Sequence, residues 1–255
     1  GDFNTRIALI GGYEVSKLAE YFNIMVEKIK ELILKEYELE RKKKEAELYV
    51  LQAQINPHFL YNTLESIVWK AKIIGADEIC YMTTALGKLF RLAVNKGGPI
   101  VRVKEEIEHV KAYMDIQNFR YNGKIGLVIN VDDEESLEYK TLKLILQPVV
   151  ENAIYHGFES LKGHGTICIE VYKSNNNLVF DITDNGVGIA QEALNNINRK
   201  LNEGFVDSGQ AKSGIGLINI HQRIEMYFGK GYGIQIKNNE EKGTTVTIVT
   251  PLLKD

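Results

Sequence analysis

The chain lacks an excess of charge of either sign: 31 Lys and Arg stand against 34 Asp and Glu, a formal net charge of −3. That balance removes any general electrostatic drive towards nucleic acid or anionic lipid, so direct nucleic acid binding is not expected. Cysteine is scarce. Cys80 and Cys168 stand alone, without CxxC spacing, which argues against a disulfide framework or a cysteine zinc site and suits a reducing compartment. No run of about eighteen apolar residues is present, and no signal-peptide pattern, so nothing in the chain reads as a membrane span. Internal repeats and low-complexity tails are lacking as well. What is present is 44% hydrophobic and 25% charged over 255 residues, enough to bury a core in one or two domains.

The N-terminal part has helical periodicity. Steps of three and four from Val15 meet Leu18, Phe22, Met25, Ile29, Leu32, Leu39, Ala46, Val50, Ala53, Leu60, Leu64, Ile67, Ala71 and Ile74. Only Glu36, Lys43 and Pro57 interrupt this heptad seam, which predicts a self-associating coiled coil or helical bundle, roughly 90 Å long if continuous. The charged run 35–47 contains two of the interruptions and marks a weakly packed connector. After the Gly75 turn a second seam, Ile79, Met82, Leu86, Leu89 and Ala93, predicts an antiparallel hairpin, and two hairpins make a four-helix bundle. Residues 96–99 break the pattern, and Val103 to Tyr121 resumes it as a bridge.

From Ile125 the period becomes two, at Ile125–Val131, Ile167–Val171, Leu178–Ile182 and Val246–Ile248. Helical stretches lie between, at Thr141–Gly157, Gln191–Asn202 and Leu217–Phe228. The C-terminal half is therefore a separate α+β domain.

QINPHFLYN, Gln54 to Asn62, breaks the first helix with a proline beside a histidine. Pro57 falls at an a position of the heptad, so His58, Asn62 and Glu65 face outward. None of the other four histidines has HxxxH spacing with His58, so a metal role is unsupported. Two readings remain, a surface histidine or a nucleophile presented to a catalytic domain; a neutral imidazole has a lone pair for attack. In QPVVENAIYHG, Asn152 and His156 share one helix face, with Val149, Val150 and Ala153 towards another. Asp184 in DNGVGI ends a strand, where an aspartate can accept from an exocyclic amino group while its glycines let backbone approach a ligand. SGIGL, Ser213 to Leu217, opens a helix whose free N–H groups suit an anion. The spacing is neither a Walker nor a Rossmann fingerprint.

In this order QPVVENAIYHG, DNGVGI, SGIGL and GTTVTI resemble the nucleotide-binding boxes of the GHKL ATPases, whose Bergerat fold is an α+β two-layer sandwich that binds ATP under a mobile lid. QINPHFLYN resembles the phosphoacceptor box of LytS-like sensor histidine kinases, as does the bridge Glu105 to Tyr121, and EVSKLAEYFNIMVEKI resembles the second helix of a HAMP linker. The resemblance covers all but about the first dozen residues. It implies that His58 is phosphorylated from ATP and donates to an aspartate on the receiver domain of a response regulator. It places Mg²⁺ on Asn152 and the adenine amino group on Asp184, beside Gly186 and Gly188. Gly214, Gly216 and Leu217 would cradle phosphate, with His156 and Lys212 as further phosphate contacts and Thr245 completing the adenine pocket. Many histidine kinases have an acidic residue directly after the phosphoacceptor, where this chain has Phe59. Glu151 is the candidate base instead, and Asn62 the candidate orienting residue.

The expected organisation is a partial HAMP helix at 1–34, a connector at 35–47, a dimerisation and phosphotransfer region at 48–122 and a catalytic ATP-binding domain at 123–255. By this resemblance the chain is a cytoplasmic part of a homodimeric, membrane-anchored receptor. The alternatives are a GHKL conformational ATPase, or an ATP-binding scaffold without kinase activity.

Overall fold

The computed structural model describes residues 17–18, 20–30, 32, 35–36, 57–94, 98–158, 163–203 and 215–254. The chain divides into two compact units, Gly1–His58 and Phe59–Asp255. In the first, residues 20–30 are helical; Val26 is buried, while the seam positions Leu18, Met25 and Leu32 are at least half exposed on the single chain. The connector expected at 35–47 lies almost wholly outside the described residues.

Helix α1 spans Pro57–Ile73 and α2 spans Asp77–Val94. Pro57 stands at the first position of α1, where its missing N–H is not required by the helix. Between the two helices Gly75 takes φ +68°, and Ala76 N–H closes the turn on the Ala71 carbonyl at 2.9 Å. Every second seam residue of α1 turns inward: Leu64 and Ala71 are buried, and the Leu64 side chain fills the space over Gly87 of α2. Ile67 and Ile74 of the same seam are 41% and 74% exposed, so one hairpin covers only half of the stripe.

Strand β1 (Ile100–Arg102) leads into α3 (Val103–Arg120) and pairs antiparallel with β3 (Lys140–Leu142). The main sheet has the order β2-β4-β5-β7-β6, with β2 Ile125–Val131, β4 Gly165–Ser174, β5 Asn177–Asp184, β6 Gly233–Asn238 and β7 Thr244–Pro251. Among the described strand pairs of this sheet only β2–β4 is parallel. Period-two alternation sends Ile167, Ile169, Phe180, Ile182, Ile236 and Ile248 to one buried face. Against the core of that face pack α3, α4 (Gln147–Asn152, continued by a π-helical turn Ala153–Gly157), α5 (Gln191–Glu203) and α6 (Ile215–Phe228). This is one helical layer on one mostly antiparallel sheet.

The helix expected from Thr141 begins only at Gln147, because Lys140–Leu142 pairs as a strand and Leu144 turns through φ +59°. A distant side chain fixes that turn. Glu106 of α3 is buried, and its carboxylate accepts the N–H groups of Leu144, Ile145 and Leu146 at 2.6, 2.9 and 3.2 Å. These donors belong to the turn that leads into α4 and to Leu146, the residue directly before the helix, so Glu106 fixes the entry to α4 from another helix. Burial pushes its carboxyl above the usual range, opposed by the three donors and by Arg223. Arg223 of α6 donates to the carbonyls of Lys143 and Leu144 from the other side.

Only an ionised carboxylate accepts three donors without presenting a hydrogen of its own. Glu106→Gln turns an N–H towards that cluster and leaves buried donors unmet. The melting temperature of the chain is expected to fall by roughly 3–8 °C in a calorimetric scan. Glu108→Gln, which breaks the half-exposed pair with Lys88, is expected to shift it less. Equal shifts would remove Glu106 from its assigned place.

Candidate functional site

A cavity opens between the helical layer and the sheet. Val149, Asn152, Ala153 and His156 line it from α4 and the π turn, Ile182 and Asp184 from β5, Ile197 from α5, Leu217 from α6, and Thr244 and Val246 from β7. Residues 149, 152, 153 and 156 lie three, four and seven apart, which is one helix stripe. The split into separate polar and apolar faces expected from sequence is therefore corrected: Val149 and Ala153 share the cavity face with Asn152 and His156. The wall is predominantly apolar.

At one end Asp184 is buried and lies within the cavity lining. Its Oδ1 accepts the Gly186 N–H at 2.8 Å. Burial raises its carboxyl above the ordinary aspartate range, against the pull of the Gly186 and Thr244 backbone donors. Gly186 is buried behind it, so close to Gly157 that a Cβ would stand 2.6 Å from the Gly157 Cα and carbonyl oxygen. Gly188 lines the cavity at φ +75°, a conformation that L side chains rarely take. These two glycines let the Asp184–Ile189 loop lie flat against the π turn, and the Val187 N–H donates to the Gly157 carbonyl at 3.1 Å.

At the other end Asn152 meets the start of α6: its Nδ2 is 3.7 Å from where a Gly216 Cβ would stand. The structure thus brings together Asn152, His156, Asp184, Gly188 and Leu217 on one cavity, with Gly186 and Gly216 directly behind its ends. Lys212 and Gly214 lie outside the described residues. Thr245 is placed differently from expectation. Strand alternation turns it to the opposite sheet face, where its hydroxyl meets Thr183 Oγ1 at 3.0 Å and Asn239 Oδ1 at 2.6 Å, and Thr244 takes the cavity position. Glu151 is half-buried and absent from the lining; its charge acts on the buried Tyr113 hydroxyl of α3 and helps raise that group's pKa, second to burial. His58 and Asn62 are exposed on α1, one turn apart.

Val149, Ile197 and Thr244 are cavity residues that motif reading missed. Stripe arithmetic from Asn152 reaches Val149, and alternation from Val246 reaches Thr244. Ile197 gives no such signal, because which α5 residue reaches the cavity depends on packing. Among the described residues no cluster of three or more His, Cys, Asp or Glu could hold a metal by itself. A single amide at Asn152 is compatible with Mg²⁺, which keeps most of its waters and takes its remaining ligands from phosphates. The apolar wall, the buried carboxylate and the helix start at Gly216 fit a flat base with an anionic tail.

The folded state binds the Asp184 proton more tightly than the unfolded chain does, because the folded pKa is raised. The ligand-free protein is therefore expected to lose stability as pH rises from the usual aspartate range through the raised value. Asp184→Asn should flatten that decline in melting scans run upward from about pH 4, leaving the slopes owed to Glu106, whose pKa is also raised, and to His109, whose lowered pKa acts in the opposite sense. An unaltered slope would place the charged carboxylate in water.

Two family models match the chain. One, described as histidine kinase, covers residues 46–125, and the other, described as histidine kinase-, DNA gyrase B-, and HSP90-like ATPase, covers residues 138–254. Sensor histidine kinase YesM of Bacillus subtilis is 37% identical over 238 residues, 93% of this chain and 39% of the relative. Sensor protein LytS of Oceanobacillus iheyensis is 32% identical over 82% of this chain and 35% of its own length. Sensor histidine kinase YpdA of Escherichia coli is 30% identical over 81% of this chain and 34% of its own. The chain therefore spans between a third and two fifths of these relatives. No helix among the described residues is long and apolar enough to cross a membrane. With a histidine kinase region followed by a GHKL ATPase domain, the chain belongs to the LytS-like sensor histidine kinases.

Proposed function

We propose that the chain is the kinase portion of a two-component sensor: it transfers the γ-phosphoryl group of ATP to His58 and passes it to an aspartate on the receiver domain of a response regulator. One observation carries this reading. An apolar cavity with a buried carboxylate at one end and a glycine-led helix start at the other occurs in the same chain as an exposed histidine in a helical hairpin.

In this account the Asp184 carboxylate accepts from the adenine amino group, and Val149 and Ile197 cover the faces of the base. Gly214, Gly216 and Leu217 hold the phosphates from the start of α6, with His156 and Lys212 adding contacts. Asn152 would hold Mg²⁺ through its amide oxygen, and the ion would supply charge neutralisation at the phosphates. An imidazole nitrogen of His58 attacks the γ-phosphorus, the bond to the ADP oxygen breaks, and the ring proton leaves to a base. Glu151 is assigned that role and Asn62 the orientation of the ring. Because positioning and charge neutralisation carry phosphoryl transfer, this set of residues is sufficient.

The reading extends to assembly. Residues 48–122 dimerise by pairing two hairpins into a four-helix bundle, which would cover the exposed seam residues Ile67, Ile74 and Ile79. Residues 1–34 form part of a HAMP linker, 35–47 the connector, and 123–255 the catalytic domain. The whole receptor is membrane-anchored, with this portion in the cytoplasm.

Incubating the purified chain with radiolabelled ATP and Mg²⁺ tests the central claim. Label is expected on the unsubstituted protein, lost in acid and stable in alkali, and absent from His58→Ala. Asn152→Ala is expected to reduce it by at least about 100-fold, the scale of a lost charge-stabilising contact in the transition state. Nucleotide binding without label would favour a silent GHKL scaffold. Hydrolysis without protein label would favour a conformational ATPase.

A further inference from the structure

The loop Asp184–Ile189 lies at the base end of the cavity, and its shape decides where the Asp184 carboxylate stands. The end of β6 at Asn238, 49 residues beyond Ile189, and the turn that follows it grip that loop. Asn238 pairs with Ile189 in both directions: its Oδ1 accepts the Ile189 N–H at 2.9 Å and its Nδ2 donates to the Ile189 carbonyl at 2.7 Å. A backbone N–H requires the oxygen and a backbone C=O requires the nitrogen, so the pair also fixes which way the amide faces. It reproduces the two-bond exchange of an antiparallel strand pair with a side chain in place of a second backbone.

Asn239 holds the other end. Its Nδ2 donates to the Asp184 carbonyl at 3.4 Å, its own N–H to the Gly243 carbonyl at 3.0 Å, and its Oδ1 accepts from the Thr245 hydroxyl at 2.6 Å. Gly188 gives the loop the φ of +75° that brings Ile189 to this pairing, a conformation L side chains rarely take. Neither asparagine lines the cavity. Their bonds run to the backbone at both ends of the segment that does.

We infer that Asn238 and Asn239 are positioning residues for base recognition: the β6–β7 turn holds the 184–189 loop so that the Asp184 carboxylate meets the amino edge of a purine. The inference rests on the nucleotide reading of the cavity. It assigns the turn to base selectivity and leaves phosphate binding to the far end, at Asn152 and Gly216. Loosening the clasp therefore weakens adenine nucleotides selectively, whereas a general loosening of the domain weakens every nucleotide alike.

Isothermal titration of the 255-residue chain with non-hydrolysable ATP and GTP analogues in Mg²⁺ reads this difference without requiring turnover. The unsubstituted chain is expected to prefer the adenine analogue. Asn238→Ala and Asn238→Asp are expected to weaken it about tenfold, the scale of one or two buried hydrogen bonds, and to leave the guanine analogue within about twofold. Asn238→Asp keeps the acceptor for the Ile189 N–H and turns a second oxygen towards the Ile189 carbonyl, so it breaks the donor half of the clasp without removing side-chain volume and separates the clasp from a packing failure. Asn198→Ala serves as control: it removes a bond from α5 to the Ile236 carbonyl on the same strand and should leave the preference intact. An equal loss for both analogues, or no loss in either Asn238 variant, overturns the inference while the nucleotide site stands. Absence of binding by the unsubstituted chain overturns the nucleotide reading and the clasp with it.

Discussion

The position of α4 depends on a carboxylate from another helix. Glu106 gathers three N–H groups of the turn that enters α4, and it does so out of water, where an isolated charge would cost several kcal/mol. The two problems offset each other. Hydrogen bonds to a charged group contribute about 1.5–3 kcal/mol each, and the donors have no better partner. Arg223 closes the arrangement by taking the two carbonyls that the Leu144 turn exposes. Three elements distant in sequence are thereby tied at one point, and α4 leaves it on a fixed course that presents Asn152 and His156 to the cavity.

The far end of α4 is also tied to α3. Arg120 lies over the rings of Tyr121 and Tyr155, and Tyr155 belongs to the π turn that lines the cavity with its neighbours His156 and Gly157. Between the two ties, α3 buries His109 with both ring nitrogens lacking a protein partner. Burial and the nearby Lys143 push its imidazole down to about 4, so it stays neutral at physiological pH. The helix that follows the hairpin is therefore the same one that carries α4, joined to it by polar groups at both ends and sharing one buried apolar cluster between them. The hairpin itself bonds to α3 through Lys88 and Glu108.

The cavity also carries a charge that folding alone does not favour. Burial raises the Asp184 carboxyl, and two backbone donors only partly oppose this. A carboxylate retained in an apolar recess is the expected mark of a site in which a ligand supplies the missing donors. The glycines around it follow from the same demand, because the loop must pass against Gly157 with no room for a Cβ at Gly186.

Much of this was legible in the residues. Period three-and-four followed by period two separated a helical region from an α/β region, and Gly75 marked the hairpin turn. The strand positions Ile125–Val131, Ile167–Val171 and Leu178–Ile182 all lie within observed strands. Motif spacing named Asn152, His156, Asp184, Gly188 and Leu217, which do share one cavity. Local periodicity carries such information because each element must bury one face of its own. The sequence could not show that Lys140–Leu142 pairs with a strand 40 residues earlier, that Thr244 rather than Thr245 reaches the cavity, or that Asn238 clasps Ile189. Those outcomes depend on which segments meet across the fold, and a side chain's partner 38 or 49 residues away leaves no periodic trace. The sequence by itself determined the kind of those elements that bury a periodic face, and the chemistry of its motifs. Tertiary structure alone decided where buried polar groups find their partners, because that choice is made by packing between elements and not within them.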